Sequence, residues 1–424
     1  MTSSTPEKPS VDRLALLYNL SIQLNSSLDL DEVLNRLMDE VITAVHAERG
    51  FVMLRNADQV LEFKVARGLE QTEIEDPEFQ ISRSVVERTA ESGQPILTSD
   101  AQSDLRFNMR QSVMVMGLRA ILCVPLKARE KPIGVIYVDN RLRAGVFTPD
   151  DLDLLTSIAA SSAIAIENAR LYQLAVEKSK METELNLARN VQISLLPRDI
   201  PKIEGWEFAA HWQPARQVGG DYYDFIPYPD GLLGLVIADV TDKGMPAALF
   251  MASSKNILRA SIEGCGNIGE GVTKANRLIE RESNDQLYIS LVYACLDPKS
   301  GDLLYINAGH NPPLHYHAKN RNFTRFNQSG MWMGVDANAV YKPETEIIEP
   351  GDIIVFYTDG VSEAENKKGE AFGEKGLETA IRVNTDVTPP NLCHSVIQSV
   401  EKFTGTSELS DDITMLIFKR LISD

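Results

Sequence analysis

The chain has 424 residues, and 42 Lys plus Arg stand against 60 Asp plus Glu, a formal charge of −18. That acidity excludes the basic footprint of a nucleic-acid binder. A content of 43% hydrophobic and 24% charged residues excludes a wholly disordered or fibrous chain, and the length suits two or three domains.

No apolar run reaches the roughly 18–20 residues that cross a bilayer. The start MTSSTPEKPS has neither the basic region nor the apolar stretch of a secretion signal, so we expect a disordered tail over 1–11, a cytoplasmic address and no membrane partner. VDRLALLYNLSIQLNSSLDLDEVLNRLMDEVITAVHA then shows apolar residues at helical spacing, broken at Asn25-Ser26-Ser27 and restarted at an acidic cap near Asp29. This predicts two helices. RGFVMLR and VLEFKVAR, separated by Asn56-Ala57-Asp58, read as an antiparallel hairpin. A helix over 82–92, the polar stretch DAQSDLRFNMRQS, and the strands RAILCVPLKA and KPIGVIYVDN complete an α+β domain of sensor size.

From Thr148-Pro149-Asp150 a long helix runs to Leu196-Pro197, with proline in its first turn and carboxylates at its positive end. Ile164, Leu171 and Leu185 at one heptad position, and Leu174, Met181, Ala188 and Leu195 at the other, form an apolar seam broken by Glu167, Lys178 and Gln192. The seam predicts a parallel two-stranded coiled coil, hence a homodimer, over 152–195. The competing reading is one amphipathic helix packed on its own domain.

Beyond 196 the runs WEFAAHWQP, LLGLVIADV, LYISLVYACLD, DLLYINAG, DIIVFYTDG and DITMLIFK read as strands, and 246–260, 272–282 and 391–403 as helices. They predict a layered sandwich with antiparallel sheets. Cys123, Cys265, Cys295 and Cys393 form no C-x-x-C pair and read as buried small hydrophobes. His315 and His317 share one face of a strand and read as solvated histidines rather than ligands.

Several of these strands carry aspartate at or beside their tips: Asp221 in GGDYYDF, Asp239 in LVIADVTDKG, Asp359 in VFYTDG, and Asp411 with Asp412 in LSDDITMLIF. Each is singly a turn signal. Jointly they converge hard oxygen ligands on one sheet edge, which favours Mg²⁺ or Mn²⁺, and their mutual repulsion calls for such ions.

Quoted in order, VGGDYYDF, ADVTDKGMPAALFM, NDQLYISLVYACLD, YINAGHNPPL, GDIIVFYTDGVSEAEN and SDDITMLIF resemble the SpoIIE/RsbU branch of the metal-dependent PPM serine/threonine protein phosphatases. The resemblance implies an α-β-β-α sandwich over 196–424 with a binuclear Mn²⁺ or Mg²⁺ centre. By that resemblance Asp239 bridges both ions, the Val240 carbonyl is a backbone ligand, Asp359 and Asp411 serve one ion and Asp221 the other. Asp239 and Asp221 are its catalytic candidates. A water held between two divalent ions attacks phosphorus in line, with no covalent intermediate. Thr241 stands where many eukaryotic relatives have a histidine, leaving the general acid unassigned, and Asp242 occupies a left-handed position that usually carries glycine. Arg216 in PARQVGGD is either a phosphate contact or a solvated arginine; His310 and Asn311 are either catalytic or a structural turn. The helix over 243–262 is implied to be a switch, its bland alternative being core packing of Leu249, Phe250 and Ile257.

The front part, 12–172, is similar to GAF domains through FVML, RSVVERTAESGQPIL, LRAILCVPLKAREKPIGVIYVDN and FTPDDLDLLTSIAASSAIAIENARLY. Its ligand is left open. The cyclic-nucleotide signature is only partly present, with Arg141 after Asn140 and Leu152 in place of a glutamate, and Val124 rather than histidine follows Cys123, against bilin attachment. The combined expectation is a phosphatase regulated by its GAF domain that dephosphorylates a STAS-type anti-sigma factor antagonist in partner switching. The alternatives are a non-catalytic scaffold that binds a phosphoprotein, and an enzyme acting on a small phosphoester.

Overall fold

The computed structural model describes residues 10–68, 81–99, 118–263, 267–283, 287–406 and 409–422. The chain divides into two compact units, 1–181 and 182–424. Residues 1–9 of the expected tail, the stretch DAQSDLRFNMRQS and Cys265 lie outside the described residues.

The first unit opens with α1 (Ser10–Asn25), which begins inside the segment expected to be tail, and α2 (Leu30–Val45). The Asp29 side chain caps α2 by accepting the Glu32 N–H at 3.0 Å. Val33, Leu34, Leu37, Met38 and Val41 recur at helical spacing and are all buried. The strands are β1 (Arg49–Arg55), β2 (Leu61–Gly68), β3 (Ile96–Thr98), β4 (Ala120–Ala128) and β5 (Lys131–Asn140), with α3 (Arg83–Ser92) between β2 and β3. They form one antiparallel sheet, ordered β2-β1-β5-β4-β3. One face packs on α2 and the start of α4 (Pro149–Leu195), the other on α3.

Thr148 and Asp151 start α4 with a reciprocal cap: the Thr148 N–H donates to Asp151 Oδ2 at 2.9 Å and the Asp151 N–H to Thr148 Oγ1 at 3.3 Å. Asn140, from the partial cyclic-nucleotide signature, accepts the N–H groups of Leu142 and Arg143 and so shapes a turn. Along α4 the expected seam residues Ile164, Leu171, Leu174 and Met181 are exposed. Gln192, one of the polar breaks in the expected seam, is buried, with its amide bonded inside the second unit.

The second unit contains β6 (Trp206–Gln213), β7 (Tyr222–Pro227), β8 (Leu233–Val240), α5 (Met245–Ile262), α6 (Ile268–Glu282), β9 (Ile289–Leu296) and β10 (Asp302–Ala308). There follow β11 (Leu314–His317), β12 (Asn322–Arg325), β13 (Glu344–Ile347), β14 (Ile353–Tyr357), α7 (Asp359–Ser362), α8 (Gly373–Arg382), α9 (Pro389–Thr404) and β15 (Ile413–Arg420). Two five-stranded antiparallel sheets, β13-β10-β9-β8-β7 and β12-β11-β14-β15-β6, stack face to face. Aromatic rings fill the space between them, as where Phe208 of β6 meets Phe225 of β7 edge-on at 6.2 Å. Helices α5 and α6 cover the first sheet, and α8 and α9 the second. This is the α-β-β-α sandwich.

Helix α5 buries Ala247, Phe250, Met251, Ser254, Lys255 and Leu258. Leu249 is 65% exposed, which corrects its expected place in the core; Ile257 is half-buried. Lys255 is buried because β7 supplies a counter-charge, its Nζ lying 3.0 Å from Asp224 Oδ2. His315 also departs from expectation, being fully buried, while His317 keeps 24% of its side chain exposed. Cys123, Cys295 and Cys393 are buried and unpaired, as their apolar settings imply, and burial pushes the Cys123 thiol up to about 12.

Candidate metal centre

The antiparallel register explains why four separated aspartates meet. Tyr222 pairs with Ala238, so Asp221 before β7 and Asp239 near the end of β8 lie at the same end of one sheet. In the other sheet Tyr357 pairs with Met415, so Asp359 after β14 and Asp411 before β15 lie at one end as well. Each sheet thus delivers a pair of carboxylates to a shared edge of the sandwich.

Their electrostatics show that the pairs face one another. Burial, then the carboxylate of Asp359, pushes Asp239 up to about 7. Burial, then Asp411, pushes Asp359 up to about 6. Asp221 is raised well above the carboxylate range by burial and by Asp239, with which it shares a side-chain hydrogen bond. Asp239, Asp359 and Asp411 are partly open to solvent, whereas Asp221 is 1% exposed and sits behind them, accepting from Thr358 Oγ1 at 2.7 Å.

The two aspartates of LSDD have different work. Asp412 accepts the Ala215 N–H on Oδ1 and the Gly220 N–H on Oδ2, both at 2.8 Å, and so fixes the loop that carries Asp221. Asp411 instead faces Lys243, whose Nζ lies 2.7 Å from its Oδ2. Burial alone would lower the Lys243 ammonium, but the hydrogen bond and charge of Asp411 raise it. Sequence reasoning missed Thr358, Lys243 and the backbone role of Asp412. The first two adjoin motif aspartates in YTDG and TDKG, a signal that was present; the third depends on a partner almost two hundred positions away.

The loops are shaped for close approach. A Cβ on Gly220 would stand 2.8 Å from the Val240 carbonyl oxygen, and one on Gly219 would stand 2.1 Å from Asp412 Oδ2. Asp242 adopts φ +74°, the left-handed position expected of it, and Gly244 follows at +83° before α5 begins with Pro246 in its first turn. Arg216 is exposed, with a guanidinium nitrogen 3.7 Å from the β-position of Gly244, above this turn. His310 is buried, its Nδ1 2.6 Å from Ser290 Oγ, and Ser290 is the cross-strand partner of Asp239. Burial lowers His310 to about 4, so it is neutral and buttresses the strand end. Asn311 touches Ser362 of α7 at 3.4 Å.

The donor set fits divalent cations. It is all oxygen, it carries raised carboxylate pKa values that a dication would reverse, and Gly220 puts no side chain against the Val240 carbonyl.

In the first unit, a cleft of about 760 Å³ is lined by Met53, Leu61, Phe63, Ile81, Arg83 and Val86 among others. No helix among the described residues is long and apolar enough to cross a membrane.

Comparison with known proteins agrees with this geometry. Residues 229–421 match the Stage II sporulation protein E (SpoIIE) family, and residues 29–166 match the GAF domain. Phosphoserine phosphatase RsbU of Bacillus subtilis is 28% identical over 246 residues, which cover 58% of this chain and 72% of RsbU. Protein IcfG of Synechocystis sp. is 29% identical over 264 residues, 56% of this chain and 41% of IcfG. The SiaA-PP2C domain of Pseudomonas aeruginosa shares the fold, with a TM-score of 0.52 at 20% identity over 58% of this chain and 98% of that one.

Proposed function

We propose, for a chain that joins a GAF domain to a SpoIIE-type PPM phosphatase domain, that it is a metal-dependent serine/threonine protein phosphatase of a sigma-factor regulatory system. The reading extends to its substrate, a phosphorylated STAS-type anti-sigma factor antagonist in the cytoplasm, and to control by the GAF unit. The observation that carries it is the meeting of Asp221, Asp239, Asp359 and Asp411 at one edge, where each sheet supplies a pair. A module that only bound a phosphoprotein would gain nothing from carboxylates that repel its ligand.

Asp221, Asp239, Asp359, Asp411 and the Val240 carbonyl would hold two Mn²⁺ or Mg²⁺ ions, which would supply an acidified water and neutralise phosphoryl charge. Asp221 is enclosed and hydrogen-bonded to Thr358 and Asp239, so it would also steady the Asp239 carboxylate. Lys243, whose Nζ lies 2.7 Å from Asp411 Oδ2, would place an ammonium beside a phosphoryl group bound at this edge. Arg216 offers a second cation over the same turn. Thr241 Oγ1 is engaged with the Tyr288 carbonyl at 3.1 Å, which argues against its giving a proton to the leaving group.

The exposed residues Leu171, Leu174 and Met181 support pairing of α4 with a second copy as a coiled coil, with the GAF unit acting through that helix. The substrate class is tested by comparing kcat/KM for a phosphoserine STAS protein with that for p-nitrophenyl phosphate under Mn²⁺. A preference for the phosphoprotein supports the reading. Equal or better use of the small ester favours a phosphoesterase of small molecules.

A further inference from the structure

The second unit holds another group of ligand-type side chains, at the opposite end of β14 from the aspartates. Asp352 precedes β14 and Asp359 follows it, so at about 3.3 Å per residue the two places lie roughly 20 Å apart. One nitrogen each of His315 and His317 and one carboxylate oxygen of Glu346 all lie within 4.8 Å of one another. His315 and His317 come from β11 of one sheet, and Glu346 from β13, the edge strand of the other.

The surroundings are built. His315 is fully buried, and its Nε2 donates to Asp352 Oδ2 at 2.9 Å. Asp352 is itself buried and held by the N–H groups of Ala318 at 2.8 Å and Glu349 at 3.1 Å. The other ring nitrogen, Nδ1, faces Glu346 Oε1 at 3.1 Å. His317 completes the arrangement: its Nε2 pairs with Thr324 Oγ1 at 2.8 Å, its Nδ1 lies 3.7 Å from Asp352 Oδ2, and its ring lies 3.8 Å from that of His315. The side chains of His317 and Glu346 are 24% and 29% exposed, so an ion enters from solvent without unfolding the strands.

We propose that His315, His317 and Glu346 form a transition-metal site of the zinc class, with Asp352 as the carboxylate behind the buried histidine, that staples β11 to β13 across the two sheets. Imidazole nitrogens with one carboxylate suit Zn²⁺, whereas the all-oxygen edge at the far end suits Mn²⁺ or Mg²⁺. The carboxylate–histidine pair is the usual support for a ligating imidazole, and its loss commonly weakens binding about 10–100-fold. A dication held between β11 and β13 stabilises the native state by mass action.

The test uses the full chain with Asp239→Asn and Asp359→Asn, so that the oxygen centre does not compete, titrated with Zn²⁺ against a chromophoric chelator and with Co²⁺ by visible absorption. The site predicts one tightly held Zn²⁺ per chain, a Co²⁺ spectrum of imidazole-carboxylate type, and a melting temperature that rises with Zn²⁺. Adding His317→Ala or Glu346→Gln weakens Zn²⁺ binding by at least tenfold and abolishes the thermal shift. Both positions are partly exposed, and the melt without metal reports whether each variant folds. Absence of retained Zn²⁺ in the parent chain, or Zn²⁺ binding indifferent to both further substitutions, overturns the site.

Discussion

Gln192 in the last turn of α4 is locked to Gly219: its Nε2 donates to the Gly219 carbonyl at 2.6 Å, and the Gly219 N–H donates to its Oε1 at 3.2 Å. Gly219 is two residues before Asp221, and the intervening Gly220 N–H is held by Asp412. The end of the long helix therefore grips the loop that carries a carboxylate of the candidate centre. Gln192→Leu keeps the bulk and removes both bonds, leaving a buried N–H and carbonyl unsatisfied, at a cost of about 1–3 kcal/mol each. Thermal melts should show a clear loss of stability, and Mn²⁺ titration a weaker affinity. An unchanged Mn²⁺ affinity would mean that the grip is structural only.

The neighbouring aspartates Asp411 and Asp412 should separate cleanly. Asp412 uses both oxygens on backbone N–H groups, and an asparagine would aim a donor at one of them. Asp412→Asn should lower the melting temperature even in chelator, by about 2 kcal/mol or more of stability. Asp411→Asn relieves repulsion at the edge and should leave the melt in chelator unchanged or higher, while reducing Mn²⁺ affinity and turnover. The discriminating measurement is the melting temperature of both variants with EDTA.

In the metal-free protein Asp239 is pushed up to about 7 and Asp359 up to about 6, each with burial as the leading cause. The unfolded chain titrates them near 4, so between about pH 4 and pH 7 the native state binds more protons than the unfolded one. Stability in EDTA should rise as pH falls from about 8 towards 5, the contribution being complete below the unfolded value and lost as pH climbs through 6 and 7. Saturating Mn²⁺ binds the ionised form and should flatten or invert that slope. A melt series with and without Mn²⁺ checks it.

Asp242 carries φ +74° on the turn between Asp239 and α5, and its Oδ1 accepts the Lys243 N–H at 2.7 Å. Asp242→Gly removes left-handed strain of about 1 kcal/mol but adds chain entropy of similar size, so stability and turnover should barely change. Asp242→Val puts a β-branched residue there and should lower both. Parallel kcat and melting measurements on the two variants decide it.

Much of this architecture was legible in the sequence. The hairpin of β1 and β2, the strand KPIGVIYVDN, the cap at Thr148-Pro149 and the aspartates at strand tips all announced themselves, because period, turn chemistry and local capping are short-range. The short strands β12 and β13 were not legible: four residues each give periodicity too little length. The burial of His315 and the exposure of Leu249 depend on which neighbours the sheets and helices bring, which spacing within one element does not encode. Gln192 is the sharpest case, since a polar residue in an apolar heptad reads only as a break in the seam until its backbone partner at Gly219 is seen.

The most direct test is release of phosphate from a phosphoserine STAS protein by the full chain, with Mn²⁺, with EDTA, and with Asp239→Asn under Mn²⁺. Turnover that requires Mn²⁺ and falls by about 10² or more in the variant is the predicted result, since on the proposed reading Asp239 would hold the ions that activate the attacking water. Turnover that survives EDTA, or that Asp239→Asn leaves intact, contradicts a metal-dependent phosphatase centred on this edge of the sandwich.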